Sequence, residues 1–237
     1  MVAATNKNLS SLVEARAFRA DLFYRLAGIP AALWPLGAAL SLAFAVSPLW
    51  DIPPPWLLSA TVLLTLTGAL ALYRKGGLWG WGAMAVGPLY TGYLLGLWLA
   101  LRLAGGGLGW VLFGLLVVFA SDTASYFAGR LWGRRRLAPT ISPKKTWEGA
   151  AGGLAGAGVA AALLSTLTPL SPPAAAALGV VLSLAGQVGD LAESFLKRSV
   201  AAKDSGGLLP GHGGLLDRMD SLVFAGAVLY HYVIWLH

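Results

Sequence analysis

The sequence predicts an all-α, polytopic integral membrane protein with about seven transmembrane helices, six to eight being the range the apolar runs allow. Three observations carry that expectation. The first is composition: of 237 residues, 57% are hydrophobic and 11% are charged, against roughly 25% charged in an average soluble domain. The second is a mean hydropathy of +0.70, spread over a succession of apolar runs, each of about the 20 residues needed to cross a bilayer. The third is the distribution of the 17 Lys and Arg residues, which fall on alternate connections. Too few charges are present to coat a soluble globule, so the composition excludes a water-soluble enzyme, a disordered chain and a fibrous protein. The chain has no cysteine, and so no disulfide, thiolate metal site or cysteine nucleophile. The net charge of +7 reads here as positive loops and anionic lipid or phosphate ligands, with no nucleic acid as partner.

The spans follow in order. Ala27 to Val46 is the first, Trp56 to Tyr73 the second and Leu78 to Leu101 the third. The third is long enough to tilt, or to break at Gly87-Pro88. Leu108 to Phe127 is the fourth, with Asp122 in its last third; Ala150 to Leu167, Pro173 to Leu191 and Met219 to Leu236 complete the set. Pro-rich connections at Ser47 to Pro55 and Pro169 to Pro173 separate them. No segment reads as a cleaved signal peptide. The stretch up to Arg25 reads as an amphipathic interfacial helix, with Leu12, Phe18, Leu22, Phe23 and Leu26 on one face. With the N-terminus inside, only Arg102 of the 17 basic residues lies outside, which satisfies the positive-inside rule. Gly149 with Gly153, and Gly152 with Gly156, form small-xxx-small pairs that read as a helix-packing face and are compatible with a homodimer.

Polar chemistry is concentrated in two stretches that this topology places on one side of the membrane. One runs from Ser121 through Arg130 and on to Ile141–Gly149; the other runs from Gly186 to Arg198 and through Lys203 and Asp204 to Ser221. Asp190, Glu193 and Ser194 fall at i, i+3 and i+4, with Lys197 at i+7, on one helix face. Asp217, Asp220 and Ser221 repeat the spacing. Two such faces can hold a hard cation such as Mg²⁺ through oxygen; the alternative is that the acids pair with Lys197, Arg198 and Arg218. Pro210-Gly211-His212-Gly213-Gly214 allows close backbone approach to phosphate oxygens, or is a plain turn. Lys144 and Lys145 suit a polyphosphate or an anionic headgroup, or act as a positive anchor beside Trp147. Arg134, Arg135 and Arg136 read as a topology signal. Asp122 near the end of its span calls for a lysine partner or a place in a metal site. A transporter would put charges near the bilayer midplane, whereas here they cluster at one face.

The run Ser194–Arg198, Lys203-Asp204, Pro210–Gly214 and Leu216–Ser221 resembles the signature of the phosphatidate cytidylyltransferase family, also called CDP-diacylglycerol synthases. Asp122–Gly129 and Ser142–Gly149 are similar to that family's second characteristic region. The resemblance covers roughly residues 108–237 and divides the chain into an N-terminal membrane region, 1–107, and a catalytic membrane region, 108–237. The N-terminal half is only generically similar and is shorter than is usual for the family. The resemblance implies that CTP and phosphatidic acid give CDP-diacylglycerol and pyrophosphate, for phospholipid biosynthesis, at the cytoplasmic side of a bacterial inner membrane. It implies catalytic roles for Asp190, Asp217, Lys197, Lys203 and His212. Lys144, Lys145, Ser194, Arg198, Asp204, Gly213, Gly214 and Arg218 would bind substrate phosphates. Asp190 and Asp217, supported by Asp220 and Asp122, would ligate Mg²⁺, with room for a second cation. A CTP-dependent enzyme acting on an isoprenoid or ether lipid would carry the same loops.

Overall fold

The structure, a computed structural model, describes residues 33–71, 77–199 and 216–236. The expected interfacial segment up to Arg25, and the first part of the first expected span, lie outside them. Helix α1 is Trp34–Val46, closed by a 3₁₀ turn at Ser47–Trp50, and α2 is Pro54–Ala71. Pro54 and Pro55 open α2, where a missing N–H costs nothing. Its Leu58, Val62, Leu63, Leu66 and Leu70 face outward, while Thr61 and Thr65 are each 1% exposed. A water-soluble helix would have the opposite pattern. Thr65 donates to the Thr61 carbonyl at 2.6 Å and accepts from Trp81 Nε1 at 3.2 Å, so its hydroxyl is satisfied, while that of Thr61 has no partner among the described residues.

The third expected span is one rod. Helix α3, Gly77–Pro88, runs through a π turn at Leu89–Tyr93 into α4, Leu94–Leu103. Pro88 therefore does not break the chain. It removes one N–H from the ladder, and the wider π turn follows at once. The Leu94 N–H bonds the Leu89 carbonyl there. Gly92 and Gly96 let this rod press on α1: a Cβ at Gly92 would overlap the Ser41 backbone, and one at Gly96 would lie 2.8 Å from the Phe44 carbonyl oxygen.

A turn with Gly106 at φ +69° leads into α5, Gly107–Trp132. Next comes an antiparallel hairpin that an all-α reading did not include: β1, Arg136–Ala138, and β2, Ser142–Thr146, pair Arg136 with Thr146 and Ala138 with Ser142 across an irregular register. The remainder is helical: α6 is Trp147–Leu163, α7 is Pro172–Ser199 and α8 is Leu216–Leu236. Among the described residues three helical stretches are long and apolar enough to cross a membrane, Met84–Leu103, Gly107–Trp132 and Pro172–Arg198, with shorter apolar helices at Pro35–Trp50 and Met219–Trp235. The molecule is a polytopic helical membrane protein.

Helices α5 to α8 share one core. Phe113 and Val117 meet Ala157 and Ala161 of α6, Leu178 and Leu182 of α7, and Leu222, Ala225 and Leu229 of α8. The expected glycine face is the α5–α6 seam. Cβ atoms at Gly152 and Gly156 would overlap those of Ala128 and Ala124, and Gly153 sits against Ser125. Without side chains in the way, the two backbones approach closely, as membrane helices do. The antiparallel run of α5, α6, α7 and α8 brings the end of α5, the hairpin, the end of α7 and the start of α8 to one end of the bundle.

Candidate active site

The site lies back from the helix ends: Asp122 is exposed, while Asp190 and Asp220 are half-buried. Asp122 lies ten residues before the end of α5 and Asp190 nine before the end of α7, roughly 15 Å along each helix axis. Asp122 and Asp190 both lie on helices, as the fourth span and the i, i+3, i+4 face led us to expect. Asp190 joins the two polar stretches: Lys145 Nζ of the hairpin lies 2.5 Å from its carboxylate, and Ser194 Oγ donates to it at 3.5 Å. Lys144 and Lys145 are neighbours on β2, so they point to opposite faces. Lys144 is exposed and Lys145 turns inward. Asp122 and Asp220 both interact electrostatically with Asp190 and with Lys145. Asp220 also accepts the N–H of Ser221 at 2.7 Å and its hydroxyl at 3.3 Å.

One turn along α7, Glu193 is 1% exposed and pairs with Lys197 at 2.5 Å. The alternative of ion pairing between neighbouring charges therefore holds for these two. Arg198 Nε donates to the Ile141 carbonyl at 3.2 Å, tying the end of α7 to the hairpin. The hairpin is held from the other side by Glu148, whose carboxylate accepts from the backbone N–H groups of Arg134 at 3.1 Å and Arg135 at 3.2 Å. Thr146 caps α6 by accepting from the Gly149 N–H at 3.1 Å. Glu148 precedes the apolar part of α6. Its own backbone N–H, then that of Arg134, holds its carboxyl below the ordinary glutamate range.

Below the acids a polar thread enters the core. Ser121 and Ser183 hydroxyls are 2.6 Å apart, and Gln187 Nε2 donates to Ser183 at 3.2 Å and to the Ala150 carbonyl at 3.1 Å. Such groups hold membrane helices in register. Tyr90, on the π turn, also reaches the acids: its hydroxyl interacts electrostatically with Glu193, Asp220 and Asp190. Sequence reading missed Tyr90. The signal for it was the Pro88 kink expected two residues earlier.

Of the residues expected to act, Asp122, Lys145, Asp190, Ser194 and Asp220 gather at this end, with Lys197 and Arg198 a turn or two further along α7. Asp217 and Arg218 belong to the first turn of α8. Lys203, Asp204, His212, Gly213 and Gly214 lie outside the described residues. Among the described residues no three His, Asp or Glu side chains stand close enough to ligate one ion together. Mg²⁺ needs only one or two carboxylates, its other positions going to water and phosphate oxygens. Asp190 with Asp122 or Asp220 fits that donor chemistry.

These features define a polytopic helical membrane protein with carboxylates and ammonium groups interleaved at one end of its bundle. A model described as the cytidylyltransferase family matches residues 8–236, and the chain belongs to that family, as its signature residues led us to expect. The phosphatidate cytidylyltransferase of Brucella suis biovar 1 is 47% identical over 157 residues, which cover 64% of this chain and 57% of that protein. That of Bacillus subtilis is 41% identical over 152 residues, covering 63% of this chain and 56% of the relative. That of Mycobacterium bovis is 46% identical over 119 residues, covering 49% and 39%. The chain thus spans little more than half the length of the first two relatives.

Proposed function

We propose that this chain transfers a cytidylyl group from CTP to phosphatidic acid, giving CDP-diacylglycerol and pyrophosphate at the cytoplasmic face of a bacterial inner membrane. The observation that carries the reading is the Lys145–Asp190 contact. It draws the two stretches that resemble the family's signature into one site. The relatives' names support the substrates.

In the reaction a lipid phosphate oxygen bonds to the α-phosphorus of CTP, the bond from that phosphorus to the α,β-bridging oxygen breaks, and pyrophosphate leaves. The attacking phosphate is already ionised, so no protein nucleophile or base is required. The obstacle is repulsion between two polyanions, and the remedy is charge and in-line positioning. Lys145 and the exposed Lys144 supply positive charge from the hairpin. Asp190 orients Lys145, and Ser194 steadies Asp190. Lys203, His212, Gly213, Gly214 and Arg218 would complete the phosphate cradle, with Lys197, Arg198 and Asp204 at its edge. Asp190 and Asp217, with Asp122 and Asp220 in support, would hold Mg²⁺, which supplies electrostatic stabilisation of the developing phosphate charge when bound.

The test is cytidylyl transfer in detergent micelles with labelled CTP and phosphatidic acid, with and without Mg²⁺. Label should enter lipid only with the metal, and Asp190→Asn should lose about 100-fold in rate, the scale for removing one preorganised electrostatic contact. A folded wild-type chain that binds CTP but labels no lipid phosphate sinks the reading.

A further inference from the structure

The described part of the N-terminal region contributes one polar group to the site whose chemistry nothing above uses. Tyr90 sits on the π turn that follows Pro88, where the rod widens; such single π turns recur at functional sites. Its ring rests edge-on against Phe224 of α8, with centroids 6.4 Å apart. Phe224 lies one turn beyond Asp220 on the same face and fills the space over Gly189, where a Cβ would come within 3.1 Å of it. Gly189 is the neighbour of Asp190 and one turn from Glu193. The stack seats Tyr90 against the turn of α8 that follows Asp220, and the electrostatic partners of its phenol are Glu193, Asp220 and Asp190.

That oxygen is shielded from solvent and has no hydrogen-bond partner among the described residues. A phenylalanine would make the same ring contact without burying a donor, so the hydroxyl has no packing purpose. Three carboxylates stand within electrostatic reach and none accepts from it. A phosphate oxygen brought in beside Lys145 would be an acceptor of the right charge, and buried Tyr hydroxyls generally find such a partner.

We propose that the Tyr90 hydroxyl donates a hydrogen bond to a phosphate oxygen of bound substrate, which makes the π turn part of the binding site. The inference rests on the function proposed above for which phosphates are present: the lipid phosphate or the triphosphate of CTP.

The experiment compares wild type, Tyr90→Phe and Tyr93→Phe as full-length chains in micelles. Tyr93 shares the π turn, but its ring rests on Phe44 at 5.9 Å, so it is the matched control. The readouts are kcat, KM for each substrate, and thermal stabilisation by CTP alone and by phosphatidic acid alone, which reports binding without turnover. Tyr90→Phe should melt no lower than wild type without ligand. Its kcat/KM should fall about tenfold, with weakened stabilisation by phosphatidic acid; weakened stabilisation by CTP instead would assign the same bond to the nucleotide. Tyr93→Phe should match wild type. Tyr90→Phe within twofold of wild type in every readout overturns the proposal, as does a loss matched by a lower melting temperature without ligand. Wild type that is stabilised by phosphatidic acid but makes no product defeats the reaction assigned above while leaving Tyr90 to be judged by binding. Wild type stabilised by neither ligand overturns both.

Discussion

Lys144 and Lys145 are adjacent and chemically identical, yet the strand sends one outward and the other onto Asp190. Glu193 and Asp190 sit on one helix face, yet the first is closed off with Lys197 while the second is shared with the hairpin. Spacing shows which residues share a face; it does not show which cation each acid takes. Glu148 illustrates the same limit. It follows two lysines and a tryptophan, but it acts as the strut of the hairpin, held by its own N–H and those of Arg134 and Arg135. Its carboxyl lies below its ordinary value in the fold, so its contribution to stability is present above the ordinary value of 4.5. That contribution is lost as pH falls through the lower, folded value. Glu148→Gln should therefore melt below wild type at pH 6, and the gap should close as the medium is taken below pH 4.5. Melting curves in one detergent across that range decide it. A gap that stays constant, or widens in acid, would remove Glu148 from this role.

At the scale of elements, the helices were legible because each must cover its length with apolar side chains. The four-residue glycine spacing marked a packing face on α6; that its partner is α5 was not in the spacing. The hairpin was not legible: β1 and β2 are short, β2 carries Pro143, and the register is irregular, so neither strand shows a clean alternation. Nor was how far the helices continue beyond the acids, because their ends run on past the apolar runs to Trp132 and Ser199. Asp122 through Trp132 stays helical, held on one side by α6. The seam makes a definite demand. At Gly152 a Cβ would already overlap Ala128, so Gly152→Leu should cost about 1–3 kcal/mol as an overpacked core substitution. Ala151→Leu, on the exposed face of the same turn, should be near neutral. Equal melting temperatures for the two variants would mean that α6 can slide away from α5 freely, contrary to the close packing found here.

At the scale of the whole molecule, the site depends on how α8 is set against the rest, and the α3–α4 rod does much of that setting. Trp98 of α4 is the wedge. Its Nε1 donates to the Leu222 carbonyl at 3.0 Å, and its ring lies over glycines on two helices. A Cβ at Gly114 of α5 would come within 2.9 Å of its Cη2, and one at Gly226 of α8 would overlap Nε1 itself. Leu222 is two residues past Asp220, so the wedge bears on the turn of α8 that carries an acid of the site. Trp98→Ala removes ring volume and a hydrogen bond together; the ring is partly buried, so the cost should lie at or below the about 3–5 kcal/mol of a core Trp→Ala change. The melting temperature should fall accordingly. A misplacement of about 1 Å in catalytic geometry can cost 100-fold, so transfer activity should also fall, by about tenfold or more, although Trp98 touches none of the acids. Trp98→Phe keeps most of the volume and should lose only the hydrogen bond, about 1 kcal/mol, with most activity retained. If Trp98→Ala keeps both the melting temperature and the activity of wild type, α8 is positioned without α4, and the first region of the chain has no part in aligning the second.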